Sequence, residues 1–107
     1  MFKYIFEIKI KKRYSPKEYI KAWRRGSLVI QKSPGALGTK LYRKIGEKGK
    51  LLAIASWTSK KARDAAMRKL KKLEAKKQII LHKHKNYANI KVLGAFEEIS
   101  KVNPKND

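Results

Sequence analysis

The chain has no cysteine and only two histidines, His82 and His84. Disulfides and thiolate metal sites are excluded, and two histidines are too few for a self-contained metal cage. Acidic residues are scarce as well: eight Asp and Glu stand against 29 Lys and Arg, a formal net charge of +21. No apolar run approaches the roughly 20 residues a membrane helix needs, because Lys or Gly interrupts every candidate. Low-complexity linkers and strong internal repeats are missing too. Met1-Phe2-Lys3-Tyr4 leads straight into alternating sequence with no signal-peptide pattern, so the expected location is the cytoplasm.

What is present suits one folded domain. With 107 residues, 42% of them hydrophobic, the chain can bury roughly two-thirds of its unfolded surface. The domain is expected to span 1–101, followed by an unstructured tail over 102–107. Charge this high repels itself and attracts polyanions, which suggests nucleic acid, a membrane surface or an anionic ligand. Because the basic residues are spread over every element rather than gathered into one arm, a compositional bias toward lysine is the favoured explanation.

Phe2, Tyr4, Phe6, Ile8 and Ile10 alternate with Lys3, Ile5, Glu7, Lys9 and Lys11, the period of a strand with one strongly apolar face. Ser15-Pro16-Lys17-Glu18 predicts a helix start, with Ser15 as cap, Pro16 at the first helical position and Glu18 closing a capping box. Tyr19, Ala22, Trp23, Gly26, Val29 and Ile30 share one face of that helix, which Pro34 and Gly35 end. Gly26 lowers helix propensity but permits close approach of a neighbour. A second strand is expected from Leu37 to Ile45, a hairpin turn over 46–49, and a third strand from Leu51 to Trp57. Thr58 or Ser59 caps another helix, predicted to run to about Lys77. Its stripe is Ala62, Ala65, Ala66, Leu70 and Leu73, with Lys60, Lys61, Arg63, Arg68, Lys69, Lys71 and Lys72 facing outward. Ile79-Ile80-Leu81 reads as a short extra turn of helix, and Ile90 to Ile99 as a fourth strand.

The order β-α-β-β-α-β predicts an α+β, ferredoxin-like fold: a four-stranded antiparallel sheet with helices on one face. The third strand is apolar on both faces, with Leu51, Ala53, Ala55 and Trp57 on one and Leu52 and Ile54 on the other. It must therefore be covered on both. In so short a chain the second cover is expected to be another subunit.

The helix Glu18-Tyr19-Ile20-Lys21-Ala22-Trp23-Arg24, the segment Ser33-Pro34-Gly35-Ala36-Leu37-Gly38 followed by Leu41 and Arg43, and Ala53-Ile54-Ala55-Ser56-Trp57-Thr58-Ser59 together resemble the antibiotic-biosynthesis-monooxygenase-like family of dimeric α+β barrels. Val92-Leu93-Gly94-Ala95-Phe96-Glu97 is similar too. The resemblance implies a homodimer whose two sheets form a barrel, with a ligand cavity between each sheet and its helices. Some relatives oxidise aromatic polyketides or quinols with oxygen and neither metal nor flavin; others degrade haem or isomerise lactones. The polyketide oxygenases use an Asn and a Trp four apart on one strand. Trp57 matches that Trp, but Ala53 stands at the Asn position. The haem-degrading pattern is not met: the first strand has no Asn, Trp23 and Trp57 are the only tryptophans, and 59–77 contains no His.

Four residues are candidates for chemistry. Trp57 either orients an aromatic substrate or plugs the end of the barrel. His84, paired with His82 on one face of an extended segment, is either a general base or an exposed histidine in a basic loop; Lys83 and Lys85 would depress its pKa. Glu7 is either a cavity carboxylate with a raised pKa or an ion-pair partner of Lys40, Arg43 or Lys44. Tyr42, on the same sheet, carries the same ambiguity. No nucleophilic triad, phosphate loop or carboxylate dyad is visible. The leading expectation is a cofactor-independent monooxygenase-like enzyme, with no cofactor or metal, acting on a small aromatic or hydrophobic, even anionic, substrate. The alternatives are a non-enzymatic basic module for nucleic acid or another polyanion, or a small ligand-binding dimerisation domain. The third strand, LLAIASW, lacks the exposed aromatics with which an RNA-recognition sheet stacks bases, so polyanion binding would be electrostatic and salt-sensitive.

Overall fold

A computed structural model describes residues 1–105. Strand β1 (Phe2–Ile10) is followed by helix α1 (Pro16–Ile30), strands β2 (Ala36–Arg43) and β3 (Lys50–Trp57), helices α2 (Lys60–Leu70) and α3 (Ala75–His82), a 3-10 turn (Lys83–Asn86) and strand β4 (Ala88–Glu97). The sheet order is β2-β3-β1-β4, antiparallel throughout. The ferredoxin-like α+β arrangement is thus present, with all helices on one face.

The start of α1 follows the local chemistry of its sequence. Ser15 Oγ accepts from the Glu18 amide, Glu18 reaches back to the Ser15 amide at 2.7 Å, and Pro16 occupies the first turn. Tyr19, Ala22 and Gly26 are buried beneath it. Ser59 caps α2 by accepting from the Ala62 amide. Gly35 links α1 to β2 at φ +86°, and a Cβ there would lie 2.6 Å from the Ala62 methyl and 2.8 Å from Thr58 Oγ1. Both the left-handed backbone and the space require glycine.

Three expected boundaries move. β2 stops at Arg43, and Ile45 is 92% exposed in a six-residue connection rather than sharing a face with Leu41. The helix predicted through Lys77 breaks after Leu70 and restarts at Ala75, so the short turn around Ile79 is a full eight-residue helix. Gln78 stabilises the break: its side-chain amide donates to the Leu70 carbonyl at 2.6 Å and the Leu73 carbonyl at 3.3 Å, satisfying groups that the end of α2 leaves unpaired. The fourth strand runs two residues earlier than expected, leaving Ile99 exposed. Residues 98–105 contain no helix or strand, though the Glu98 amide bonds to the Met1 carbonyl; Asn106 and Asp107, the end of the expected tail, lie outside the described residues.

The inner face of the sheet carries two apolar clusters. Ile8, Ile10, Tyr19, Leu51, Ala53 and Ala88 form one; Phe2, Trp57 and Ala66 form the other. The outer face has no cover among the described residues. There Ile5, Leu52 and Ile54 are half-buried by their neighbours, and Tyr42, Leu93 and Phe96 are 40–49% exposed. No helix among the described residues is long and apolar enough to cross a membrane.

Candidate functional site

A cavity of about 130 Å³ lies between the sheet and α1. Its existence traces to β3, which presents Ala53 and Ala55 to the helices where larger side chains would fill the layer. Phe6 and Ile8 of β1 continue the floor, and Trp23 and Ile30 of α1 form the opposite wall. Thr39 and Gln31 are the polar edges. The Thr39 hydroxyl donates to the Ile54 carbonyl at 3.3 Å, while Gln31 Oε1 accepts from the Gly38 amide at 2.8 Å and so braces the bulge in β2 against α1.

At one end the cavity meets Tyr19 and His84, whose phenol oxygen and Nδ1 are 3.0 Å apart. The rings meet nearly edge-on, with centroids 5.7 Å apart. Tyr19 is fully buried, and burial pushes its phenol above the ordinary range, so it stays protonated. Burial, helped by the Lys85 and His82 charges, lowers His84 from 6.5 to about 4. Both partners are therefore neutral at pH 7. The contact accommodates the tautomer in which the phenol donates to Nδ1 and the imidazole carries its own proton on Nε2.

The four sequence candidates occupy three separate environments. His84 is the one in the cavity. The expectation of an exposed histidine in a basic loop fails for it, because the 3-10 turn after α3 directs it inward over Tyr19; His82, at the end of α3, is exposed. The two histidines do not share an extended face, since their segment is helical. Trp57 is 2% exposed, sits in the Phe2–Ala66 cluster, and is not among the residues lining the cavity. Glu7 and Tyr42 are on the outer face, on opposite sides of Leu52 in the strand register. Glu7 pairs with Lys50 at 3.0 Å, not with Lys40, Arg43 or Lys44, and that hydrogen bond lowers its pKa rather than raising it. Lys50 stands directly opposite Lys9, so the diagonal carboxylate also offsets a like-charge pair.

The cavity residues Tyr19, Trp23, Ser27 and Gln31 read from sequence as part of an ordinary core stripe or its flank. Ser27 and Gln31 were the available signal: polar residues four apart, continuing the line of Tyr19 and Trp23 on the buried side of α1. Arg63 also departs from expectation. It folds back over the Tyr4 ring at 3.9 Å instead of facing outward.

Comparison with known proteins supports the fold. No family model and no curated protein matches the chain. Among solved structures, an asparagine-to-alanine variant of SnoaB, a cofactor-independent oxygenase from Streptomyces nogalater, superposes with a TM-score of 0.78 at 16% identity, covering 94% of this chain and 95% of that one. A protein from Deinococcus radiodurans assigned provisionally as an antibiotic biosynthesis monooxygenase gives 0.67 at 17% identity over 99% and 100% of the two chains. One from Nitrosomonas europaea with the same assignment gives 0.69 at 11% identity over 94% and 100%. The chain has an antibiotic-biosynthesis-monooxygenase-like fold.

Proposed function

We propose that this chain is a homodimeric, cytoplasmic monooxygenase-like protein that binds a small aromatic molecule in the sheet–helix cavity and oxidises it with dioxygen, without cofactor. The observation that carries the reading is the cavity itself: an apolar space whose polar end is a neutral pair, the buried Tyr19 and the half-buried His84. Fold likeness to a cofactor-independent oxygenase supports it.

In this proposal the substrate carries a methylene or ring C–H made acidic by a neighbouring carbonyl or phenol. His84 Nε2–H donates to that oxygen and stabilises the anion formed when the C–H proton passes to solvent at the cavity mouth. The carbanion gives its electrons to dioxygen, and a C–O bond forms. A proton taken back from solvent protonates the distal oxygen, giving a hydroperoxide. Loss of water from it leaves a carbonyl, so one oxygen atom enters the product and the other departs as water. Tyr19 holds the imidazole in the required tautomer, and Phe6, Trp23 and Ile30 position the ring and exclude solvent. The partner subunit covers the outer sheet face, where Leu52 and Ile54 need a second apolar layer.

The test is oxygen consumption by the purified protein with anthrone or 1,4-dihydroxynaphthalene, chelator present, against the background rate. Uptake that His84→Ala removes is the expected result. Uptake no faster than that of His84→Ala defeats the reading.

A second reading rests on the turn between α2 and α3. Arg68, Lys69, Lys71, Lys72, Lys76 and Lys77 are all exposed there, with Glu74 as the sole acid. A basic module holding nucleic acid there would lose affinity steeply between low and moderate salt, and salt-independent affinity would dismiss it.

A further inference from the structure

Beside the cavity runs a groove of about 240 Å³ between α2, α3 and the end of α1. Its floor is apolar, built by Ile30, Met67, Leu70 and Leu81. The charged residues lining it are all basic: Arg63, Lys71 and Lys85. No carboxylate lines it, and neither Lys71 nor Lys85 forms an ion pair among the described residues. Groove and cavity adjoin, sharing Phe6, Ile30 and Lys85 in their linings.

This juxtaposition differs from the general basicity of the chain. Cations scattered over a wet surface attract any anion weakly, because water and salt screen them. A cation beside an apolar wall interacts through less solvent, and its attraction for an anion is correspondingly stronger. Lys71 and Lys85 are themselves exposed to solvent, but both border the apolar groove, Lys85 borders the cavity as well, and neither has an ion-pair partner among the described residues.

We infer that the cavity and the groove form one bipartite site for a small aromatic acid, with the apolar body in the cavity and the carboxylate in the groove against Lys71 and Lys85. The inference rests on reading the cavity as a ligand site, and it adds the charge of the ligand and the residues that select it. Lys85, common to both spaces, fixes which end of the molecule faces His84.

Isothermal titration with 1-naphthoate and its neutral counterpart 1-naphthylmethanol tests it, at about 0.15 M salt so that surface attraction is screened. The expected preference for the acid is about threefold, the effect of contacts to exposed cations at the rim of an apolar groove. Lys71→Gln with Lys85→Gln should erase that preference and leave binding of the alcohol unchanged. Lys12→Gln with Lys48→Gln removes the same charge from positions lining neither space and should preserve it. Equal binding of the two ligands by the unaltered protein overturns the anion site alone, as does a preference lost equally in both double variants. Binding of neither ligand overturns the cavity reading and this inference with it. Matching circular dichroism and melting curves establish that the variants fold.

Discussion

Gly26→Ala should destabilise the protein although it replaces glycine in the middle of a helix. In an exposed helix that change stabilises by about 1 kcal/mol, because alanine loses less backbone entropy. Here the new Cβ would sit 2.9 Å from the Leu81 carbonyl oxygen and 3.4 Å from that of Ile80, both backbone atoms of α3. No side chain can swing aside, so α3 itself must shift by a few tenths of an ångström. Overpacking of this kind costs about 1–3 kcal/mol. The difference leaves a net loss of roughly 1 kcal/mol, a fall in Tm of about 4–8 °C for a domain of this size. Thermal unfolding by circular dichroism at one fixed protein concentration measures it, since self-association would make Tm concentration-dependent. A second readout follows from the chain order. The 3-10 turn that carries His84 continues directly from α3, so displacing α3 loosens His84 from Tyr19. Its pKa, followed by NMR, should then rise from about 4 back toward 6.5. A Tm that increases, with the His84 titration unchanged, would refute the close seating of α3 on Gly26.

Folding stability should fall as the pH drops from about 6.5 to about 4: the unfolded chain takes up a proton on His84 in that window while the folded chain resists it. Urea titrations across that range check it, and His84→Gln should flatten that part of the pH dependence; an unaltered profile would show that other groups cause it. Trp57→Ala should cost about 3–5 kcal/mol, as for a large core aromatic, whereas Trp57→Phe should leave ligand affinity in the cavity intact. Weakened ligand binding by Trp57→Phe at preserved stability would return Trp57 to the ligand site. Leu52→Lys with Ile54→Lys, on the uncovered sheet face, should convert a dimer to a monomer by light scattering while the secondary structure is retained; a dimer that survives places the interface elsewhere.

Where a feature depends on neighbours in sequence, it could be read directly. The alternation of β1, the Ser15–Glu18 capping box and the Pro34-Gly35 break are local, and the strand order with it gave the fold. Features set by contacts across the chain were not readable. The break after Leu70 contains no Pro or Gly; it depends on Gln78 reaching back eight residues. The partner of Glu7 depends on strand register, which the hydrophobic pattern constrains by face but not by position. His84 shows the limit most clearly. Lys83 and Lys85 beside it are the marks of an exposed loop, and only the packing of α3 against Gly26 turns the imidazole between them inward. The pKa depression was foreseen, but its main cause is burial rather than the flanking lysines.

The sheet is a single layer of backbone, and alternate residues of β1 serve opposite sides of it. Phe6 and Ile8 floor the cavity, while Ile5, Glu7 and Lys9 belong to the outer face. An insertion or deletion of one residue in β1 would exchange the two sets at once, putting a carboxylate and an ammonium into the cavity and two large apolar side chains outside. The inner chamber and the outer surface are therefore written in one reading frame. Point substitutions can tune either independently, but neither can change register without destroying the other.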